Sequence, residues 1–332
     1  MTLLQKGVGM KLTDKQFIQK WNEVKSPTQM AEDLGLTCRS IYKRRAALER
    51  KYGINLDCPA PNSQKRGRAA MTPGNTRREM QIDNGMVVIF SDAHFWPDEP
   101  SPAYLALLNF LSKYKQQIKA VVNNGDAFDG ASISRFPPLN WGKLPTVKEE
   151  LEACAEALGE IEKRVVKSIP LIWCLGNHDA RYEQLIINNT PQLDGIRGTA
   201  LKDWFPMWKA CYSFWINDMT VIKHRWKGGA MGGRANTIHS GVNFVSGHTH
   251  VGCVNPFQDY NGVRYGVQTG TLANPNGRQF EYTEDNPKDW MQCFAVLSYV
   301  NGNLLMPELV RVFDDNHYEF RGQLHEIERN DS

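Results

Sequence analysis

Beyond residue 81, short apolar runs alternate with stretches in which apolar residues recur every third or fourth position. The runs at 86–90, 118–122, 169–175, 219–223 and 242–246 have the length and composition of buried strands. Between the first two lies a helical pattern at 103–114, with Leu105, Leu108 and Leu111 on one face. Another spans 146–166, opened by Thr146 with Glu149 three residues on, a capping box. Strand, helix, strand, helix, strand in succession predicts an α/β core of largely parallel strands. Later runs at 263–268, 293–300 and 304–313 read as antiparallel strands, with Asn301-Gly302 as the hairpin turn between the last two.

The first 56 residues follow a different pattern, that of a small all-α unit. Thr13 and Gln16 form a capping box ahead of a helix carrying Phe17, Trp21 and Val24 on one face. Ser26 caps a second helix with Pro27 at its first position, where the missing N–H costs nothing, and Gly35 ends it. Thr37 caps a third helix that runs to about Tyr52. The stretch QMAEDLGLTCRSIYKRR resembles a helix-turn-helix of the homeodomain-like kind, with Met30, Leu34, Leu36 and Ile41 as its expected core. In that resemblance Arg39, Ser40, Lys43, Arg44 and Arg45 lie on the helix that would meet DNA, although Arg44 stands where the motif usually has an aliphatic residue. The alternative is a helical protein-interaction or oligomerisation module.

Charge sharpens this division. Residues 1–80 carry 16 Lys and Arg against 7 Asp and Glu, a net +9, whereas 81–332 carry 23 against 29, a net −6. Such asymmetry suggests a basic appendage that meets a polyanion, fused to an acidic body; a solubilising tail is the plainer alternative. Residues 57–80 mix Pro, Gly and basic residues without apolar periodicity and read as a linker, giving units at 1–56 and 81–332. The seven cysteines are scattered, with no CxxC pair, which disfavours a disulfide framework or a cysteine–zinc site. No apolar run approaches the ~20 residues of a spanning helix, and the first ten residues lack signal-peptide character. The expectation is a cytoplasmic protein with no membrane partner; its oligomeric state is not readable.

The strongest chemical signal lies at the ends of the predicted strands. They close in Ser91-Asp92-Ala93-His94, Gly125-Asp126-Ala127-Phe128-Asp129, Gly176-Asn177-His178-Asp179, Lys223-His224 and Gly247-His248-Thr249-His250. Ligands at the carboxyl ends of adjacent parallel strands gather in one crevice. The glycines before Asp126, Asn177 and His248 are expected to let the chain turn sharply there.

The order DxH, GDxxD, GNHD, H, GHxH resembles the calcineurin-like metallophosphoesterase superfamily across 91–250. That resemblance implies a sandwich of two central sheets flanked by helices and a hydrolase carrying two divalent ions. Asp92, His94 and His250 would hold one ion, Asp126 would bridge, and Asn177, His224 and His248 would hold the other. Mixed His, Asp and Asn donors suit manganese first, with iron or zinc as alternatives. A metal-bridging hydroxide would attack phosphorus in line. His178 would protonate the leaving oxygen or stabilise developing charge, and Asp129 would orient a ligating histidine. His239 competes with His224 for its place but lies in a polar stretch, and Arg225 follows His224 where the family often has glycine.

The protein serine/threonine phosphatase branch reads GDxVDRG and GNHE; here Gly130 replaces the arginine and the third block is GNHD. The pattern is more similar to the nuclease and diesterase side, the Mre11/SbcD-like group, in a phage-type chain joined to a helix-turn-helix segment. A phage origin would place the protein in the host cytoplasm. In the segment RWKGGAMGGR, Arg225, Lys227 and Arg234 are candidate substrate contacts, the glycines would let the backbone approach a phosphodiester, and Arg181 is a further candidate. The expected function is a DNA nuclease, exo or endo. The alternatives are a phosphatase or diesterase for a small nucleotide, and a non-catalytic DNA-binding regulator.

Overall fold

The computed structural model describes residues 12–56, 77–97, 100–135 and 142–329. Contacts divide the chain into two compact units, Met1–Met71 and Thr72–Ser332.

In the smaller unit, helices α1 (Asp14–Val24), α2 (Pro27–Leu34) and α3 (Cys38–Tyr52) carry the expected caps at Thr13, Ser26 and Thr37. Gly35 and Gly53 close α2 and α3 in left-handed backbone. Phe17, Trp21, Met30, Ala31, Leu34, Ile41 and Leu48 are buried together. Leu36, expected in this core, is 38% exposed, whereas the two aromatic rings of α1 are fully buried in it. Arg44 and Arg45 are turned toward those rings, their guanidinium carbons 4.9 Å from the Phe17 centroid and 5.2 Å from that of Trp21. They also pair with Asp14 and Glu49. Arg44 therefore occupies an aliphatic position because its stem and planar head cover an aromatic ring. Of the five residues expected to meet DNA, only Arg39, Ser40 and Lys43 are exposed.

The larger unit begins inside the expected linker. Residues 57–76 lie outside the described residues, but Arg77–Met80 is a strand, β1, paired in parallel with β6 (Ser213–Ile216). The next elements are β2 (Gly85–Phe90), α4 (Pro102–Lys113), β3 (Ile118–Asn123), α5 (Val147–Arg164), β4 (Leu171–Cys174), α6 (Asp179–Asn189) and β5 (Trp208–Cys211). After β6 come β7 (Thr220–Ile222), α7 (Gly232–Ser240), β8 (Asn243–Ser246), β9 (Gly252–Asp259), β10 (Gly262–Thr269) and β11 (Cys293–Val300). β12 (Asn303–Leu304), β13 (Glu308–Asp314), β14 (His317–Phe320) and β15 (Gln323–Glu326) complete the chain.

Two sheets result. One runs β15-β14-β13-β11-β2-β3-β4-β5, with β12 paired to β11; the other runs β1-β6-β7-β8-β10-β9. β2, β3 and β4 are parallel, as expected, and β5, which no predicted run covers, continues the parallel series. The β7 and β8 runs, which the sequence pattern assigns to neither sheet, are parallel neighbours in the second one. Alternation along β2 shows why it reads as uniformly apolar. Val87 and Ile89 enter the core between the sheets with Phe214, Ile222 and Val245, while Met86, Val88 and Phe90 pack under α4 and α5. The Asn301-Gly302 turn joins β11 to β12 with both residues at positive φ, 49° and 77°, as a tight hairpin requires. No helix among the described residues is long and apolar enough to cross a membrane.

The segment expected to be a glycine loop folds further than its composition suggests, since Gly232–Ser240 is helix α7. A β-carbon on Gly266 would lie 2.2 Å from the Gly233 carbonyl oxygen, so Gly233 and Gly266 let helix and strand touch, whereas Gly228 and Gly229 border open space. Arg234 sits within α7, donates to the Pro256 carbonyl at 3.2 Å and lies over the Phe257 ring, which assigns it to packing against β9. Gly266→Ala is expected to cost about 1–3 kcal/mol through overpacking. The midpoint of denaturant unfolding reads this, and an unshifted midpoint would mean that α7 moves away freely.

Candidate metal centre

The five motif ends converge in one crevice at the carboxyl ends of β2, β3, β4, β7 and β8. Asp92, His94 and His250 place one ligand atom each within 4.8 Å of one another, and so do Asp126, His224 and His248. The chain reaches this crowding through unusual backbone. Asp92, His94, Asp126, His248 and His250 all have positive φ, between 41° and 71°. That region costs a side-chain-bearing residue roughly 1–3 kcal/mol and persists only where the surroundings hold it.

Hydrogen bonds between motifs do that holding. The backbone N–H of His248 donates to both Asp92 oxygens, at 3.1 and 2.9 Å, and that of His178 to Asp126 Oδ1 at 2.8 Å. Asp179, buried beneath them, accepts from the N–H of Asp126, Phe128 and Gly176 and from Trp173 Nε1. The glycines serve by being small. A β-carbon at Gly176 would lie 2.0 Å from Asp126 Oδ1, and one at Gly247 2.7 Å from Asp92 Oδ2. The expected sharp turn holds at Gly125, with φ of 92°, whereas Gly176 and Gly247 do not have positive φ.

The donor set fits divalent cations. His224 Nδ1 donates to the Asn124 carbonyl at 2.7 Å, which turns Nε2 into the crevice. That Nε2 is 3.0 Å from Asp126 Oδ2, and His250 Nε2 is 3.3 Å from Asp92 Oδ1. Contacts of this kind are satisfied by a proton or, in its place, by a cation. His94 Nε2, His224 Nε2 and Asn177 Oδ1 are buried with no hydrogen-bond partner, so a metal would satisfy groups the protein leaves open. Burial works against a charged His224, but Asp126 outweighs it and pushes its pKa up to about 9. A metal taking this nitrogen therefore displaces a proton. His239, the competing histidine, is on exposed α7 surface, bonded to the Ala235 carbonyl.

Asp129 joins two histidines. Its Oδ1 accepts from His94 Nδ1 at 2.8 Å and from His178 Nδ1 at 2.7 Å, which fixes both tautomers and turns both Nε2 atoms inward. Burial alone would raise the Asp129 carboxyl, but these bonds hold it well below the usual range. Burial pushes His94 down, toward the neutral form a ligand needs. For His178 burial acts the same way, yet the Asp129 bond and the Asp126 charge outweigh it and raise its pKa. Arg181 donates to the Asp129 carbonyl at 2.9 Å and lies 3.1 Å from His178 Nε2. Arg225 is exposed at the mouth of a cleft shared with Asn177, and Lys227 lies outward over the Trp226 ring.

Several contributors were missed in the sequence. Glu150 accepts from the N–H of Gly130 at 2.6 Å and Ala131 at 3.0 Å, fixing the loop that carries Asp129. Burial and then the charge of Asp129 push its pKa up to about 7. Its position on the same stripe as Cys154, Leu158 and Ile161 was the available signal. Phe280 and Trp290 pack on His250, at 5.4 and 4.2 Å between centroids, from a segment with no periodic signature.

A family model described as calcineurin-like phosphoesterase matches residues 85–264, just over half of the chain. No curated protein matches the chain. Among solved structures it is similar to an archaeal phosphodiesterase, at 15% identity and a TM-score of 0.33 over 68% of this chain and 99% of that one. It is also similar to Chaetomium thermophilum Vps29, at 8% identity and a TM-score of 0.39 over 74% and 100%. A third is the Pseudomonas putida nuclease MPE, at 13% identity and a TM-score of 0.28 over 67% and 86%.

Because a β-carbon at position 176 would collide with Asp126, Gly176→Ala is expected to weaken Mn²⁺ binding by about 10–100-fold. Calorimetric titration measures this, with circular dichroism confirming the fold. Undiminished affinity would remove Asp126 from the ligand set.

Proposed function

Since the chain belongs to the calcineurin-like phosphoesterase family, metal-dependent hydrolases of phosphoester bonds, we propose that it is a dinuclear phosphodiesterase acting on DNA. The observation carrying the first part is the pair of adjoining donor groups in one crevice, three residues each, with unpartnered nitrogens facing in. Asp92, His94 and His250 would hold one ion and Asn177, His224 and His248 the other, with Asp126 reaching both. Manganese suits these donors best, and iron and zinc suit them next. Such ions would activate water and neutralise the phosphoryl oxygens.

The remaining work falls to the chain itself. His178, tied through Nδ1 to Asp129, presents Nε2 as the atom that passes a proton to the leaving oxygen. The Arg181 N–H now directed at that nitrogen would turn to a phosphoryl oxygen as substrate arrives. Arg225, and Lys227 farther out, add positive charge at the mouth.

DNA is favoured over a small nucleotide by the net +9 of residues 1–80 and by the exposed Arg39, Ser40 and Lys43 at the start of α3. Cations at that place on a helix neutralise phosphates and position a duplex.

Two outcomes test the reading. End-labelled linear DNA and circular DNA incubated with Mn²⁺ should be cut by the native chain, while EDTA or Asp126→Asn abolishes cutting. Intact DNA beside hydrolysis of a small diester would turn the reading toward nucleotides. Arg39→Ala and Lys43→Ala should each weaken DNA binding and reduce the slope of log affinity against log salt by about 0.9. Salt slopes equal to that of the native chain would remove α3 from the DNA contact.

A further inference from the structure

Two cavities open beside the metal centre, and they differ in charge. The larger, about 960 Å³, lies between α4 and α5 and touches the centre at His94. Glu149, Glu152, Glu156, Glu160 and Glu328 rim it, with Arg164 opposing them, so a phosphate chain is repelled there. The smaller, about 510 Å³, meets the centre at Asn177, and no carboxylate is among its described lining residues. Arg135 from the segment after β3, Arg181 from α6 and Arg225 from the segment after β7 converge on it.

The helix that walls this second cleft is unusual. Arg181, Gln184, Leu185 and Asn188 follow the i, i+3, i+4, i+7 spacing that gives a helix one continuous face. Such a stripe is apolar when it seals a core. Here Leu185 is its one apolar member, and a guanidinium and two carboxamides face the cavity beside it. Arg181 is anchored through its N–H groups to the carbonyls of Asp129 and Gly130, so its position relative to the centre is fixed. The Asn177 side chain, whose buried Oδ1 has no partner, stands where cleft and centre meet.

We propose that this cleft is a subsite for a second phosphate of the substrate, adjacent to the one hydrolysed, with Arg135 as its outer anchor and Gln184 and Asn188 holding the intervening sugar or base edge. The proposal rests on the phosphodiesterase reading and adds that the substrate carries at least two phosphates. Planar guanidinium groups suit that task, since each offers paired donors to a phosphate. The second phosphate could belong to a polynucleotide or to a pyrophosphate-linked nucleotide, and the test separates the two.

The full-length protein with Mn²⁺ is assayed on bis(p-nitrophenyl) phosphate, a short single-stranded oligodeoxynucleotide and ADP-ribose. Arg135→Ala should lower kcat/KM for the oligonucleotide about tenfold or more beyond any effect on the one-phosphate diester, chiefly through KM. Asn188→Ala should act in the same direction, and Arg135→Lys should recover only part of the loss. Equal effects on oligonucleotide and one-phosphate diester would overturn the subsite and leave the nuclease reading standing. Uncut oligonucleotide with Arg135-dependent cleavage of ADP-ribose would overturn the nuclease reading and keep the subsite. Hydrolysis of the one-phosphate diester alone, alike in every variant, would overturn both.

Discussion

The carboxylates of Asp92, Asp126 and Asp179 are almost entirely removed from water, and each is held there because backbone N–H groups from another stretch of chain donate to it. An unpaired buried carboxylate would cost several kcal/mol, on the order of its desolvation penalty. The donors therefore come as a set. His248 N–H serves Asp92, His178 N–H serves Asp126, and Asp126 N–H serves Asp179. Each motif is locked by the next, and no single loop carries the geometry. This lacing over-determines the left-handed backbone at five candidate ligands.

The same lacing sorts protonation states. A single oxygen of Asp129 fixes His94 and His178 in the same tautomer, yet their environments push them apart. His94 is driven toward the neutral form by burial, whereas His178 keeps its affinity for a proton through Asp129 and Asp126. Under the proposed function one carboxylate would thereby support two chemistries, metal ligation and proton transfer.

Much of this was legible in the sequence because it depends on local signals. Caps at Thr13, Ser26, Thr37 and Thr146 fix helix starts, and apolar runs ending in Asp, Asn or His mark strands that end at a crevice. What stayed hidden depends on non-local packing. The sheet that takes β7 and β8 was not legible, since nothing in an apolar run says which sheet will take it. Arg234 reads as a substrate contact until helix α7 carries it against β9. Gly176 and Gly247 read as turn residues, yet they are small because carboxylate oxygens occupy the space beside them. Asp179 sits in plain view after His178, but two of its four hydrogen-bond donors come from the distant 126–128 turn, the other two from 173–176.

The strand order carries a consequence for synthesis. β2, the first strand of the large sheet, pairs on one side with β3 and on the other with β11, which emerges after every candidate ligand. Asp92 likewise has its carbonyl held by the Thr271 hydroxyl and the Ala273 N–H. The three-helix unit, built from short-range contacts, can fold while the ribosome is still working, but the sandwich must wait for its long-range partner. A nascent chain halted before residue 293 would own the whole inventory of ligands and still lack the strand that sets β2 in place. Assembly of the crevice is therefore timed by the emergence of β11 rather than by that of His250, the last candidate ligand.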